Sequence, residues 1–468
     1  MITPIIDMLE TIIKDTKARF CMPGHKGKQT FLNTDISGYD ITEIDGADNL
    51  YMPSGVIEQS QTLYAKEIGA ARSFFMVNGS SCGVQASVLS VIRPKEKILV
   101  ARDFHLSAVN AFVFADAQPV FFSPSATNIE LPCVITPNDV RSAIRENPDA
   151  KALYVTYPNY YGLCCDLTEI CRIAHDKGLI VICDGAHSAC FDFSDLLPVS
   201  PAQAGCDIWT ASLHKTLLAM NQCAVLSIGQ NISQEEVQSK LNMLQTTSPS
   251  YLLLGSCDYA LAVMRESGKQ RIEQIIAIVE ENIRKIESLG GYKCVLQDAP
   301  KSTGAFDRDI LKLVIDVTDR GVSGFGVAKL LAAQGVYVEA ADLSNIILIC
   351  SIADNAQDFE KLREILKAIN GSNYNIHRTM HIEDLAEVYR PQLSMNMRQA
   401  ALGETRVVAL FEAIGEVAAV SAGAYPPGIP IIVTGQIITR EMVDYLTRLR
   451  NTGYSIFGCD GSIKIVNR

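Results

Sequence analysis

Lys215 stands in the segment WTASLHKT (209–216), directly after an apolar, strand-like stretch and beside Ser212 and His214. A lysine amine forms a Schiff base with a carbonyl once its pKa falls, and desolvation or a neighbouring cationic phosphate site pushes it that way. Taken alone, the pattern fits a surface lysine at the end of a strand better. Asp184, 31 residues earlier, ends LIVICD (179–184) and opens the turn DGAH. Ligand-binding residues gather at the carboxyl ends of strands in a parallel sheet. A plain helix N-cap is the other role open to such an aspartate. NGSSCG (78–83) follows SFFMV (73–77) and precedes the helical pattern VQASVLSVI. Ser80 and Ser81 in that turn offer hydroxyls, backbone N–H groups and the positive end of a helix dipole, which suits a phosphate and equally suits an ordinary cap. His105, in VARDFHLS (100–107), also follows a strand-like run. Its imidazole could stack on a flat ring or hydrogen-bond within the fold.

These features together match the needs of pyridoxal phosphate. That cofactor is tethered by a lysine amine and held by its phosphate. It needs an acid against its pyridine nitrogen, so that the ring can accept electrons from the reacting carbon. An aspartate at one strand end and a lysine after the next helix and strand can serve both jobs.

The elements that must position these groups alternate along the chain. KILVA (97–101), PVFF (119–122), ALYVT (152–156), LIVICD (179–184) and AVLSI (224–228) are short, β-branched and nearly continuous in apolar character. Such runs suit buried parallel strands. Amphipathic segments such as LTEICRIAHDKG (167–178) lie between them. The alternation predicts an α/β domain with a mostly parallel sheet. A long helical pattern spans about 257–289. A smaller α+β unit follows, with strands at LKLVIDV (311–317), VYVEA (336–340) and NIILICS (345–351) and helices at 324–335 and 356–369. The first twenty residues read as a helical arm. Further helices are expected around 382–390 and 397–413, with a strand at IPIIV (429–433). The domain boundaries expected are 1–55 for an N-terminal arm and loop, 56–295 for a cofactor-binding large domain, 296–378 for the small α+β domain and 379–468 for a C-terminal domain.

Composition narrows the partners. The chain has 468 residues, more than one compact core accommodates, with 48% apolar and 20% charged residues. A net charge of −11 without a basic block argues against nucleic acid. No 18-residue apolar run and no signal-peptide pattern is present, so no membrane partner and a cytoplasmic location are expected. The fourteen cysteines form no C-x-x-C pair, which argues against zinc and, without a signal peptide, against a disulfide framework. No metal site is expected.

MPGHKG (22–27), DITEIDGADNL (40–50), FFMVNGSSCG (74–83), TYPNYYG (156–162), CDGAH (183–187), SLHKT (212–216), TTSPSYLLLGSCD (246–258) and AYPPGIPI (424–431) occur in that order. Together they closely resemble the Orn/Lys/Arg decarboxylase family, nearly end to end, in its short form without an extra N-terminal domain. The resemblance implies a fold type I, aspartate-aminotransferase-like enzyme that uses pyridoxal phosphate. It implies decarboxylation of arginine, lysine or ornithine to the amine and CO2, with arginine slightly ahead of lysine, in polyamine metabolism. By position, Lys215 would carry the cofactor and Asp184 would face its pyridine nitrogen. His105 and Ala186 would lie on opposite faces of its ring. Ser80, Ser81, Ser212 and His214 would hold its phosphate. His187 would sit near the substrate and share proton return with Lys215. Thr247 and Ser248, in TTSPSY, would reach the cofactor of the partner subunit in a homodimer or larger homo-oligomer.

Several positions depart from the family pattern. Leu106 replaces a common lysine after the stacking histidine. DGAHS, with Gly185 and Ser188, replaces D-E-A-H-G. Leu218 stands where proline is usual. Thr434-Gly435-Gln436 replaces P-G-E, so a neutral amide stands where a glutamate could bind a basic side chain. Glu43, Asp45 or Glu339 could supply that acid instead. Two rival readings stay open: another reaction of the same cofactor, such as transamination or a lyase step, and a catalytically silent binding or regulatory relative.

Overall fold

The computed structural model describes residues 17–20, 48–126, 131–297, 303–369, 392–425 and 428–467. The segment MPGHKG, most of DITEIDGADNL with Glu43 and Asp45, the pattern at 382–390 and Pro426–Pro427 lie outside the described residues.

The large unit is built on a seven-stranded sheet. Its strands are β1 (Arg72–Met76), β2 (Lys97–Ala101), β3 (Gln118–Phe122), β4 (Ala152–Thr156), β5 (Ile180–Asp184), β6 (Ile208–Ser212) and β7 (Ala224–Ile228). They lie in the order β1-β7-β6-β5-β4-β2-β3. Strands β2 to β6 pair in parallel. Strand β7 runs antiparallel to both its neighbours, contrary to the parallel reading of AVLSI. The reason is chain length: only residues 213–223 join β6 to β7, and a parallel crossover takes about a dozen residues or more.

The near-continuous apolar character of the strands comes from burial on both faces. Ile98, Val100, Tyr154, Ile182 and Ile208 enter one core, shared with helices α1 (Ser80–Val91) and α2 (Leu106–Ala115). Leu99, Leu153, Val155, Val181 and Trp209 alternate with them into the other core, covered by helix α3 (Leu167–His175). A fully buried side chain such as Ile98 contributes about 1.5–3 kcal/mol relative to exposure, before the cost of ordering the chain.

The small unit has four antiparallel strands, β8 (Lys293–Cys294), β9 (Lys312–Asp316), β10 (Ala340–Ala341) and β11 (Asn345–Ile349), in the order β8-β9-β11-β10. VYVEA is broken rather than continuous. Val336–Val338 pairs in parallel with Ala18–Phe20, and Glu339 separates it from β10. Residues 18–20, expected in a helix, are thus strand. The stretch 397–413 is also corrected. Its helix runs only over Met397–Leu402, and Thr405–Ala409 forms a strand paired with Ser462–Val466. Gly403 ends the helix, and the β-branched Thr405, Val407 and Val408 favour the extended form.

Candidate active site

The carboxyl ends of β4, β5 and β6 carry Thr156, Asp184 and Ser212; Thr156 pairs with Asp184, and Asp184 pairs with Thr210, two residues before Ser212. Asp184 is buried, with 4% of its surface exposed. Its Oδ2 accepts a hydrogen bond from the Tyr154 hydroxyl (3.1 Å) and its Oδ1 one from the Ala186 N–H (3.2 Å). The Ser212 N–H donates to the Ala186 carbonyl (3.3 Å), which ties the two strand ends together. After Ser212 the chain makes one short helix, Leu213–Thr216, that presents Lys215.

Lys215 is half-buried. Burial lowers its pKa, and the nearby carboxylates of Asp184 and Glu339 act in the opposite direction. Its Nζ lies 3.1 Å from His187 Nε2. The other ring nitrogen, Nδ1, lies 2.7 Å from Nζ of Lys312 at the start of β9. Burial, then the charges of Lys215 and Lys312, hold His187 well below the ordinary imidazole range, so its ring is neutral. Tyr160 packs edge-on to His187 at 5.6 Å and donates its hydroxyl hydrogen to Glu339 (2.9 Å). The loop after β4 thereby links the Lys215 site to the small unit.

His105 caps α2: its Nδ1 accepts from the Ser107 N–H at 3.1 Å. Burial lowers its pKa, with opposing effects from Asp184 and Lys215 that set all three groups in one neighbourhood. Gly428 closes over the ring; a Cβ there would lie 3.1 Å from His105 Nε2. The Leu106 N–H donates to the Gly428 carbonyl (3.1 Å), so the leucine found in place of lysine still anchors this loop through its backbone. His214 donates from Nδ1 to the Cys223 carbonyl (2.9 Å), and burial pushes its pKa down to about 4. Ala186 is half-buried beside Asp184, and Leu218 is buried.

The residues present fit pyridoxal phosphate. Ser212 Oγ is buried and, among the described residues, has no hydrogen-bond partner, an unusual state for a native hydroxyl. Gly79, at φ +83°, precedes α1, and no side chain among the described residues caps that helix N-terminus. Ser80 is half-buried and Ser81 exposed there. Gly83 packs α1 against Thr210 of β6, which brings the uncapped N–H groups toward the Ser212 end of the sheet. An unpaired hydroxyl, free amides and a neutral imidazole suit a phosphate, and the Lys215 amine and Asp184 suit the ring.

Thr247 and Ser248 are exposed. Among the described residues no hydrogen bond joins them to Lys215, Asp184, His105 or His187. Gln436 is buried in the C-terminal unit, where its Oε1 accepts from the Val433 N–H (3.1 Å) and so closes its own turn. Reading from sequence missed Lys312, Tyr154 and Asp103. Asp103 has a buried Oδ1 without a partner among the described residues, and its pKa is pushed up to about 7, by burial first and by Asp184 in part. A lysine opening the otherwise apolar run LKLVID was the one available signal for Lys312.

Residues 3–306 match the family description "Orn/Lys/Arg decarboxylase, major domain", and residues 375–465 match its C-terminal domain. Arginine decarboxylase of Bacillus subtilis (strain 168) is 34% identical over 98% of this chain and 96% of its own. The constitutive lysine decarboxylase of Escherichia coli (strain K12) is 22% identical over 98% of this chain and 79% of its own. The solved structure of the E. coli constitutive lysine decarboxylase superposes with a TM-score of 0.77 at 20% identity, over 99% of this chain and 82% of that one. The chain therefore belongs to the Orn/Lys/Arg decarboxylase family, fold type I enzymes that remove the carboxyl group of a basic amino acid with pyridoxal phosphate.

Proposed function

We propose that this decarboxylase acts on arginine ahead of lysine and ornithine, with Lys215 carrying the cofactor. The observation that supports the assignment best is the Lys215 amine itself. It is desolvated, it lies beside the strand end bearing Asp184, and it is within hydrogen-bond reach of His187. The full-length similarity to arginine decarboxylases, at 32–34% identity, supports the substrate.

Bound here, pyridoxal phosphate supplies an electron sink for the electrons left when CO2 departs. The chain's own residues do the rest. Asp184, fixed by Tyr154 and the Ala186 N–H, would face the pyridine nitrogen and keep it protonated. His105 and Ala186 would hold the ring from its two faces. Ser80, Ser81, Ser212 and His214 hold the phosphate. Lys215 and His187 return a proton to the α-carbon. Glu339, half-buried and hydrogen-bonded to Tyr160, is the acid within reach of the substrate's cationic end.

The active form is at least a homodimer in which Thr247 and Ser248 complete the partner's site, and the product amine feeds polyamine synthesis in the cytoplasm. No helix among the described residues is long and apolar enough to cross a membrane. The working units are an N-terminal arm and loop (1–55), the cofactor domain (56–295), the small domain (296–378) and the C-terminal domain (379–468).

The test has two parts. Borohydride reduction followed by peptide mapping should place a pyridoxyl group on Lys215, and modification of another lysine overturns the assignment. A screen of the twenty amino acids plus ornithine should give CO2 fastest from arginine. Keto acid without CO2 would favour transamination.

A further inference from the structure

We propose that Lys312 is a positioning residue that fixes the proton of His187 on Nε2, so that the imidazole donates a hydrogen bond to a neutral Lys215 amine. The argument is one of hydrogen-bond parity. His187 is buried, with 6% exposure, and each ring nitrogen faces a lysine Nζ, at 2.7 Å for Lys312 and 3.1 Å for Lys215. A lysine ammonium only donates. A neutral imidazole has one donor and one acceptor, so two ammonium groups cannot both be satisfied by it. An imidazolium between two neutral amines would satisfy the count, but burial and the two lysines disfavour a charge on this ring. One lysine must therefore be neutral.

The surroundings decide which. Lys312 is 2% exposed and sits one turn from Asp309, whose carboxyl its charge stabilises against burial. Its Nζ lies 5.3 Å from the centre of the Tyr160 ring and 3.5 Å from the Tyr160 carbonyl. A carboxylate, an aromatic face and a carbonyl all favour an ammonium. Lys312 thus donates to Nδ1, the ring proton sits on Nε2, and Lys215 accepts it. Burial favours the neutral Lys215, while Asp184 and Glu339 pull it toward the cation. The chain Lys312–His187–Lys215 tips that balance. His214 and His105, the other titratable rings acting on His187, are themselves shifted toward the neutral form. The small unit thereby sets the protonation state of an amine carried by the large one.

The polarity of this chain does not depend on what Lys215 carries, although its value to catalysis rests on Lys215 as the cofactor lysine. Peptide mapping tests that assignment separately. The polarity is tested on the cofactor-free protein. Imidazole 15N shifts, with the His187 signal assigned through His187→Gln, should show protonated Nε2 and bare Nδ1 at neutral pH. The opposite tautomer overturns the proposal without any Lys312 variant. The second readout is reductive methylation of Lys215 against pH, followed by mass spectrometry of its peptide. Lys312→Met should raise the midpoint by about one pH unit, a roughly tenfold loss of neutral amine at a given pH below it. Lys312→Gln, whose amide can still donate to Nδ1, should retain the Nε2 proton and shift the midpoint less. An unchanged midpoint in Lys312→Met overturns the proposal. If that variant fails to fold, the wild-type tautomer and Lys312→Gln decide.

Discussion

At the level of single residues, substrate charge separates Glu339 from Gln436. A buried cation without a counter-charge costs several kcal/mol, of order 3–5 when one partner of a pair is removed. A pocket for a basic side chain therefore needs an acid. The sequence pointed to residue 436, because a glutamate is usual in that motif, and its amide there looked like a change of specificity. The folded chain spends that amide on the Val433 N–H, inside the C-terminal unit. Glu339 instead lies close enough to Lys215 and His214 for its charge to act on both. Glu339→Gln should lower kcat/KM for arginine by tenfold or more, since about 1.4 kcal/mol suffices, while Gln436→Glu should leave the arginine-to-lysine ratio unchanged. Steady-state kinetics on the three basic amino acids checks both, and a shifted ratio in Gln436→Glu would return the specificity role to that position. Lys215, Asp184 and His105 were legible because each follows a recognisable strand in a recognisable motif. Lys312 and Tyr154 were not, because each belongs to the site only through a contact between elements distant in sequence.

At the level of elements, the strand-end turn after β5 explains two departures from the family pattern with one packing fact. In D-E-A-H-G the second residue carries a side chain and the fifth carries none. Here Gly185 and Ser188 exchange those properties. A Cβ at Gly185 would lie 2.5 Å from Ser188 Oγ and 3.0 Å from the Thr210 carbonyl. Ser188 Oγ fills that space and donates to the Gly185 carbonyl at 2.9 Å. The turn is tight enough that only one of the two positions takes a side chain. Gly185→Ala should cost about 1–3 kcal/mol as an overpacked site. Ser188→Gly in the same chain should recover part of it, with a coupling of about 1 kcal/mol, because the two positions touch. Urea unfolding of the wild type, both single variants and the double variant measures this. Additive effects would mean that the swap is coincidental. The strands themselves were read nearly to the residue, since double-sided burial writes continuous apolar runs. The direction of β7 was not, because apolar runs carry no sign. The break in VYVEA was hidden for a similar reason: its two halves pair with different partners, Val336–Val338 with Ala18–Phe20 and Ala340–Ala341 with β11, and an apolar run does not say which partner it takes.

At the level of the whole molecule, the site within one chain leaves Thr247 and Ser248 facing outward. Nearby, Asn242 Nδ2 donates to the Tyr51 carbonyl (2.9 Å), which joins two surface segments. Those segments expose Met52 at 72% and Met243 at 71%. Large apolar side chains so exposed, beside the segment that carries Thr247 and Ser248, are the kind of surface that a second subunit covers. A two-fold dimer places the same patch on both sides of its interface, so a loop reaching across once reaches across twice. In such a dimer each site draws Lys215 from one chain and Thr247 from the other. Two inactive variants then complement. Lys215→Ala removes the amine, and Thr247→Trp blocks the loop. Mixed at equal amounts and allowed to exchange subunits, half of the dimers are hybrids, and each hybrid has one site with both residues intact. Activity should rise from near zero to about a quarter of wild type, the product of those two halves. The control is the same mixture held below the exchange temperature, where no activity should return. If exchanged mixtures stay inactive while sedimentation shows hybrid dimers, then Thr247 serves the site of its own chain, and the outward loop has to fold back onto Lys215 within one subunit.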